Sequence, residues 1–186
     1  NGVENGTPVT LVTEIIAHDS GKMLARSIDT QPIFNGELEQ NITVEDPQLW
    51  SPENPALYHA VTEVYLGGSI DTDWNMERPA ITVTHGKDKQ DCHGTRFGFR
   101  TIEIVPDKGF FLNGQARKFQ GVCMHHDLGP LGAAINKAAL RRQLTILKDM
   151  GCDAIRTSHN MPAEELIELC DEIEAKIREA LQNVQD

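Results

Sequence analysis

The sequence predicts an α+β chain in two parts: an antiparallel β-sandwich over residues 1–104, then the opening of a parallel α/β unit over 105–186. Three observations carry that reading. The first hundred residues hold short, β-branched runs with period-two alternation, separated by turn signals and lacking any helical period. From Asn136 onward, leucines recur at helical spacing until Gly151. The order from Lys118 to the end is strand, helix, strand, helix, which predicts a parallel strand pair joined by a crossover helix.

In the first part, Val9 to Ala17 alternates and is rich in β-branched residues, Asp19–Lys22 reads as a turn, and Met23–Ile28 offers a return strand. Asn35-Gly36 is a second turn signal, and Glu37–Val44 alternates after it. A polar, proline-bearing stretch from Asp46 to Pro55 holds Trp50, which reads as a core anchor between sheets. His59–Leu66 is the clearest strand, Gly67–Pro79 reads as an exposed loop, and Ile81–Thr84 and Arg96–Arg100 supply two further strands. Short strands at these intervals are the pattern of a sandwich.

In the second part, Asn113-Gly114 stands between two strand-like arms of Phe110–Phe119, which predicts a hairpin with a type I′ turn. Lys118–Cys123 is the next strand and ends in the cluster His125-His126-Asp127. Asn136 is placed to cap a helix over residues 137–150, with Leu140, Leu144 and Leu147 on its core face. Residues 152–157 form a strand running into Arg156-Thr-Ser-His-Asn160. Pro162 suits the first position of a second helix, whose stripe runs through Leu166, Cys170, Ile173, Ile177, Leu181 and Val184. Two βα units cannot close a barrel, which takes eight, so the second domain is expected to be incomplete. Both polar clusters then fall at the C-terminal ends of neighbouring parallel strands, where α/β folds place their sites.

Composition narrows the partners. With 186 residues, a net charge of −11 and 39% apolar residues, the chain can pack a core, but it lacks the basic face that nucleic acid or an anionic membrane demands. Neutral ligands such as sugars fit that charge. Cys92, Cys123, Cys152 and Cys170 form no CxxC pair, so neither a zinc ribbon nor a disulfide framework is called for, and the last three read as buried free thiols. No run of about 18 apolar residues occurs. The start lacks a signal pattern and resembles mid-protein sequence, which leaves localisation unread.

Six motifs, in order, resemble one known family, glycoside hydrolase family 2, which contains β-galactosidases, β-glucuronidases and β-mannosidases. They are Leu49-Trp-Ser-Pro-Glu-Asn-Pro-Ala-Leu-Tyr58, Phe97-Gly-Phe-Arg-Thr-Ile-Glu103, Phe110-Phe-Leu-Asn-Gly114, Gly121-Val-Cys-Met-His-His-Asp127, Gly151-Cys-Asp-Ala-Ile-Arg-Thr-Ser-His-Asn160 and Leu169-Cys-Asp-Glu172. The resemblance implies an immunoglobulin-like sandwich followed by the first two βα units of a (β/α)₈ barrel. It also implies a β-linked sugar as substrate of the intact, β-galactosidase-like enzyme, with no cofactor and no metal.

By position, the resemblance implicates His125, His126, Asp127, Ser158, His159 and Asn160 in lining the sugar pocket, and Arg156 in orienting the nucleophile. The family's acid/base Glu, in an Asn-Glu pair, and its nucleophile Glu come from later barrel strands; no Asn here is followed by Glu. The retaining mechanism needs two carboxyl groups about 5–5.5 Å apart, so the chain alone is expected to be inactive. Cys123 and Met124 replace the Asn and basic residue common after Gly-Val, which bears on substrate preference, and after Glu172 the likeness ends.

Bland readings stand beside these. Arg156 could form a structural salt bridge, for example to Asp127, and one of His125 and His126 must point away from any pocket if the strand is extended. A metal site from His125, His126, Asp127 and His159 matches no ligand spacing. His18, His59, His85 and His93 read as surface residues without partners. A non-catalytic module that self-associates through the exposed partial-barrel surface is the rival to the glycosidase reading.

Overall fold

The computed structural model describes residues 4–34, 36–66 and 89–173, in two compact units. The first comprises residues 1–48 and 56–99, the second 49–55 and 100–186.

Among the described residues, the first unit is built on a four-stranded antiparallel sheet in the order β2-β1-β3-β4. Its strands are β1 (Pro8–Ala17), β2 (Met23–Pro32), β3 (Tyr58–Leu66) and β4 (Lys89–Phe97). β1 is central because its β-branched residues suit burial on both faces. Val9, Val12, Thr13, Ile15, Thr10 and Glu14 are all buried there. Buried polar groups need partners, and they have them: the Thr10 and Thr30 hydroxyls meet at 2.9 Å, as do those of Thr13 and Thr62, and Arg26 pairs with Glu14 across the β1–β2 register.

Several expectations need correction. Glu37–Val44 forms no strand; beyond an isolated bridge between Phe34 and Glu37 its backbone joins no ladder, and the Glu39 carbonyl accepts from Gln31 Nε2 at 2.9 Å instead. Its alternation is nonetheless real, since Leu38, Gln40, Ile42 and Val44 are partly buried and the residues between them exposed. Ile42 and Val44 pack on the Ile15–Tyr58 core, and Gln40 replaces ladder bonds by accepting from Thr13 Oγ1 at 2.6 Å and donating to the Leu11 carbonyl at 3.3 Å. Period-two burial reports a face, not a ladder. The strand expected at Arg96–Arg100 lies earlier, at Lys89–Phe97. The readings of Gly67–Pro79, Ile81–Thr84 and His85 lie outside the described residues.

His18 and His59 are not partnerless: Nδ1 of the first lies 2.7 Å from Nε2 of the second. Burial, followed by the charges of His18 and Arg96, holds the His59 imidazole below its ordinary value. The unfolded chain therefore takes up this proton first as pH falls through about 6.5. Stability is full above that pH and declines below it until the folded form protonates as well. The urea midpoint of the first unit should fall between pH 7.5 and 5.5, and His59→Gln should flatten that slope.

The second unit opens with a small antiparallel sheet of β5 (Ile102–Val105), β6 (Gly109–Leu112) and β7 (Gln115–Ala116). Asn113 and Gly114 join β6 to β7 with φ of 52° and 75°, the pair of positive values that a type I′ turn requires. Trp50 belongs to this unit rather than to the core between sheets. Its carbonyl accepts from Asn113 Nδ2 at 3.0 Å, and the Arg100 guanidinium lies 5.1 Å from its ring centre.

β8 (Gly121–His125) and β9 (Ala154–Ser158) then pair in parallel, bridged in sequence by a 3₁₀ turn (Gly129–Leu131) and α1 (Lys137–Asp149). Asn136 caps α1, its side chain accepting from Ala139 N. At the other end Gly151, at φ 89°, adopts the left-handed conformation that lets Cys152 N reach the Leu147 carbonyl and Gly151 N that of Lys148. That pair of hydrogen bonds ends the helix and lets the chain turn towards β9.

A second helix, α2, is described over residues 164–173, so Pro162 precedes it instead of occupying its first position. Leu140, Leu144, Leu166 and Leu169 form the core between the helices and the strand pair. Lys137–Glu168 (2.7 Å) and Arg141–Glu172 (2.5 Å), each advancing four residues on both helices, show that α1 and α2 run in the same direction. Ile177, Leu181 and Val184 lie outside the described residues.

Candidate functional site at the ends of β8 and β9

The start of the strand pair is held by Arg117, which reaches Glu53 at 2.7 Å and Asp153 at 2.9 Å. Burial pushes the Glu53 carboxyl up, but bonds from Arg117, from its own backbone and from Ser51 outweigh it and keep the group below the usual carboxylate range. Asp153 in turn accepts from Gln120 N at 2.7 Å, while its own N–H donates to the Gln120 carbonyl at 2.8 Å. This knot sets the register that follows: Gly121 opposite Ala154, Cys123 opposite Arg156, His125 opposite Ser158.

Alternation then sorts the side chains. Val122, Met124, Ile155 and Thr157 are partly buried, and Met124 and Ile155 pack against the leucine core. Cys123, His125 and Arg156 are exposed on the opposite face, where Ser158 joins them but is itself buried. The strand begins later than expected, so His125 is its last residue and not part of a loop. Arg156 Nη1 donates to Ser158 Oγ at 2.6 Å and lies 3.9 Å from Cys123 Sγ. The rings of His125 and His159 meet edge to face with centroids 5.5 Å apart, and the Ser158–His159 peptide is cis.

The strand pair thus gathers His125, Arg156, Ser158 and His159. It does not gather all of the expected set. Asp127 turns into its own loop, where it accepts from Gly129 N at 2.8 Å, so it is not the partner of Arg156. His126 and Asn160 are exposed beside the wall. Cys123 was expected to be buried and is exposed on this face instead. The signal was present in its spacing of two from His125, which in a strand means a shared face. Among the described residues, no group of three His, Cys, Asp or Glu side chains converges.

A cavity of about 380 Å³ lies on the helix side of β9, bordered by Leu144, Leu147, Ile155, Thr157, Leu166 and Cys170. Its lining is mostly apolar. The groups able to bond a polar ligand, two imidazoles and a guanidinium, stand on the other face.

Comparison with known proteins agrees with the sequence motifs. Residues 3–100 match Glycosyl hydrolases family 2, and residues 103–176 match the TIM barrel domain of Glycosyl hydrolases family 2. The chain belongs to this family. Its fold class is the family's immunoglobulin-like domain followed by the start of its TIM barrel, which is not closed here.

Beta-galactosidase BoGH2A of Bacteroides ovatus is 46% identical over 71% of this chain and 13% of its own length. A solved family 2 member from Bacteroides cellulosilyticus superposes with a TM-score of 0.66 at 31% identity, over 88% of this chain and 19% of that one. The beta-glucuronidase of Bacteroides uniformis does so with a TM-score of 0.67 at 29% identity, over 93% of this chain and 19% of that one. The chain spans 13% to 19% of the length of the curated relatives it matches first.

Proposed function

We propose that these residues form the first wall of the sugar pocket in a longer retaining β-glycosidase, β-galactosidase-like in its substrate. The observation that carries this reading is the gathering of His125, His159, Arg156 and Ser158 at the C-terminal ends of two parallel strands, the end at which (β/α)₈ enzymes bind substrate.

In this reading His125 and His159 give directed hydrogen bonds to sugar hydroxyls, with His126, Asp127, Ser158 and Asn160 around them, and Arg156 holds the carboxylate nucleophile. Residues 1–104 are the immunoglobulin-like domain and 105–186 the barrel's beginning. The galactoside preference rests on the similarity to BoGH2A. Neither the Asn-Glu acid/base nor the nucleophile belongs to this chain, so the chain by itself does not hydrolyse glycosides. The substrate is a β-linked sugar; cofactor, metal, nucleic acid and membrane have no part in the reaction.

A panel of chromogenic β-glycosides tests this. The longer gene product should turn over the galactoside best, and the repurified 186-residue chain should turn over none. A longer product without activity on any β-glycoside would overturn the reading. Self-association is the second reading, favoured by the exposure of Ile146 on α1, Met150 at its C-cap and Ile167 on α2. A dimer in sedimentation, together with an inactive longer product, would favour it.

A further inference from the structure

Arg156 is held in an unusual way. Its Nη1 donates to Ser158 Oγ, on its own strand, at 2.6 Å, and lies 3.9 Å from Cys123 Sγ, on the neighbouring strand. The parallel register places Cys123 directly across from Arg156, and Ser158 is only 3% exposed. Two acceptors on two hydrogen-bonded strands therefore converge on one terminal nitrogen of the guanidinium.

Two features of this arrangement matter. Neither acceptor is a carboxylate, so they fix the direction of the guanidinium without the full counter-charge that an Asp or Glu would bring. They also occupy only one corner of a planar fork with five donors. No described residue takes Nε or Nη2, which together form the edge that binds a carboxylate with two parallel bonds.

We propose that Cys123 and Ser158 are positioning residues, clamping Arg156 through Nη1 so that its Nε–Nη2 edge is presented to a carboxylate. The identity of that carboxylate, a catalytic Glu from another part of the enzyme, rests on the glycosidase reading. The clamp does not, because it is a property of this chain. It also gives a role to the departure at Cys123: a thiol is a weak acceptor of suitable size at the one position facing Arg156. Ser158, spent on Arg156 and buried, then acts through the arginine.

The test is made on the 186-residue chain with ¹⁵N-labelled arginine, with acetate as the carboxylate probe. Rotation about the Cζ–Nε bond of Arg156 should be slow, and acetate should shift its Nε–H signal. Ser158→Ala should speed that rotation about tenfold, the effect of losing one charge-assisted hydrogen bond, Cys123→Val should speed it by a smaller factor because the sulfur contact is longer, and both should weaken the acetate response. Cys123→Ser keeps an acceptor and should restore slow rotation. Cys123 is exposed, so that pair of variants decides the matter even if Ser158→Ala does not fold.

Rotation as fast as that of a surface arginine in the unaltered chain, or unchanged by Cys123→Val, would overturn the clamp. No turnover enters this readout, so it fails separately from the glycosidase reading. In the longer protein, Ser158→Ala should lower kcat by about 10- to 100-fold with KM unchanged. A raised KM with kcat intact would make Ser158 a sugar contact and overturn the clamp while leaving the glycosidase reading in place.

Discussion

Arg26→Met should destabilise the first unit by about 3–5 kcal/mol, the largest effect expected of any single change in that sheet. Arg26 lies opposite Glu14 in the β1–β2 register, and its Nε donates to Glu14 Oε1 at 2.7 Å, with Nη2 closing the pair. The side chains are 8% and 3% exposed, so both charges have left water. Removing the arginine alone strands a buried carboxylate without its counter-charge.

The pair itself is a different matter. Desolvation of two ions offsets most of their attraction, and apolar residues of similar volume can do as well. The double variant Arg26→Met, Glu14→Leu should therefore recover most of the loss. Urea denaturation of the single and double variants checks both statements; additive losses would show that Glu14 contributes independently of Arg26.

Gly121→Ala is the second large effect, and it falls on the candidate site. A Cβ at residue 121 would stand 2.6 Å from the Ala154 carbonyl oxygen and 3.1 Å from its carbon. Those are backbone atoms of the paired strand, so nothing flexible can give way. The two strands must separate at the first rung of their ladder. The cost is expected at the upper end of the range of about 1–3 kcal/mol for overpacking. It should appear as lost amide-exchange protection in β8 and β9 while β1 and β3 keep theirs. Because the same ladder aligns Cys123 with Arg156 and His125 with Ser158, the variant should also release the Arg156 guanidinium. Full protection in β8 would contradict the close approach.

Sequence reading succeeded where short-range patterns decide structure. Asn136, the leucines at 140 and 144, and Gly151 mark the cap, core face and stop of α1, and each does so within one or two helical turns. Asn113-Gly114 specifies its own turn by the same local logic.

It failed where pairing is decided at long range. The segment Lys89–Thr95 carries no apolar alternation and is exposed along its length; it is a strand because β3 offers it a ladder. The alternation of Glu37–Val44 announces a buried face, yet side-chain bonds from Gln40 replace the ladder. His18 and His59 are 41 residues apart and meet because β1 and β3 are paired. At the candidate site, the strand ends and their polar residues were legible. The contact of Cys123 with Arg156 was not, since it depends on the register of one strand against another.

In the proposed glycosidase, the sugar is bound at the His125–His159 end of the β8–β9 pair. Steady-state kinetics of His159→Ala in the longer protein, on its best chromogenic β-glycoside, tests this most directly. Loss of a hydrogen bond to a sugar hydroxyl should lower kcat/KM by about tenfold or more, with the thermal unfolding of the protein unchanged. An unaltered kcat/KM in a folded variant would place the pocket elsewhere.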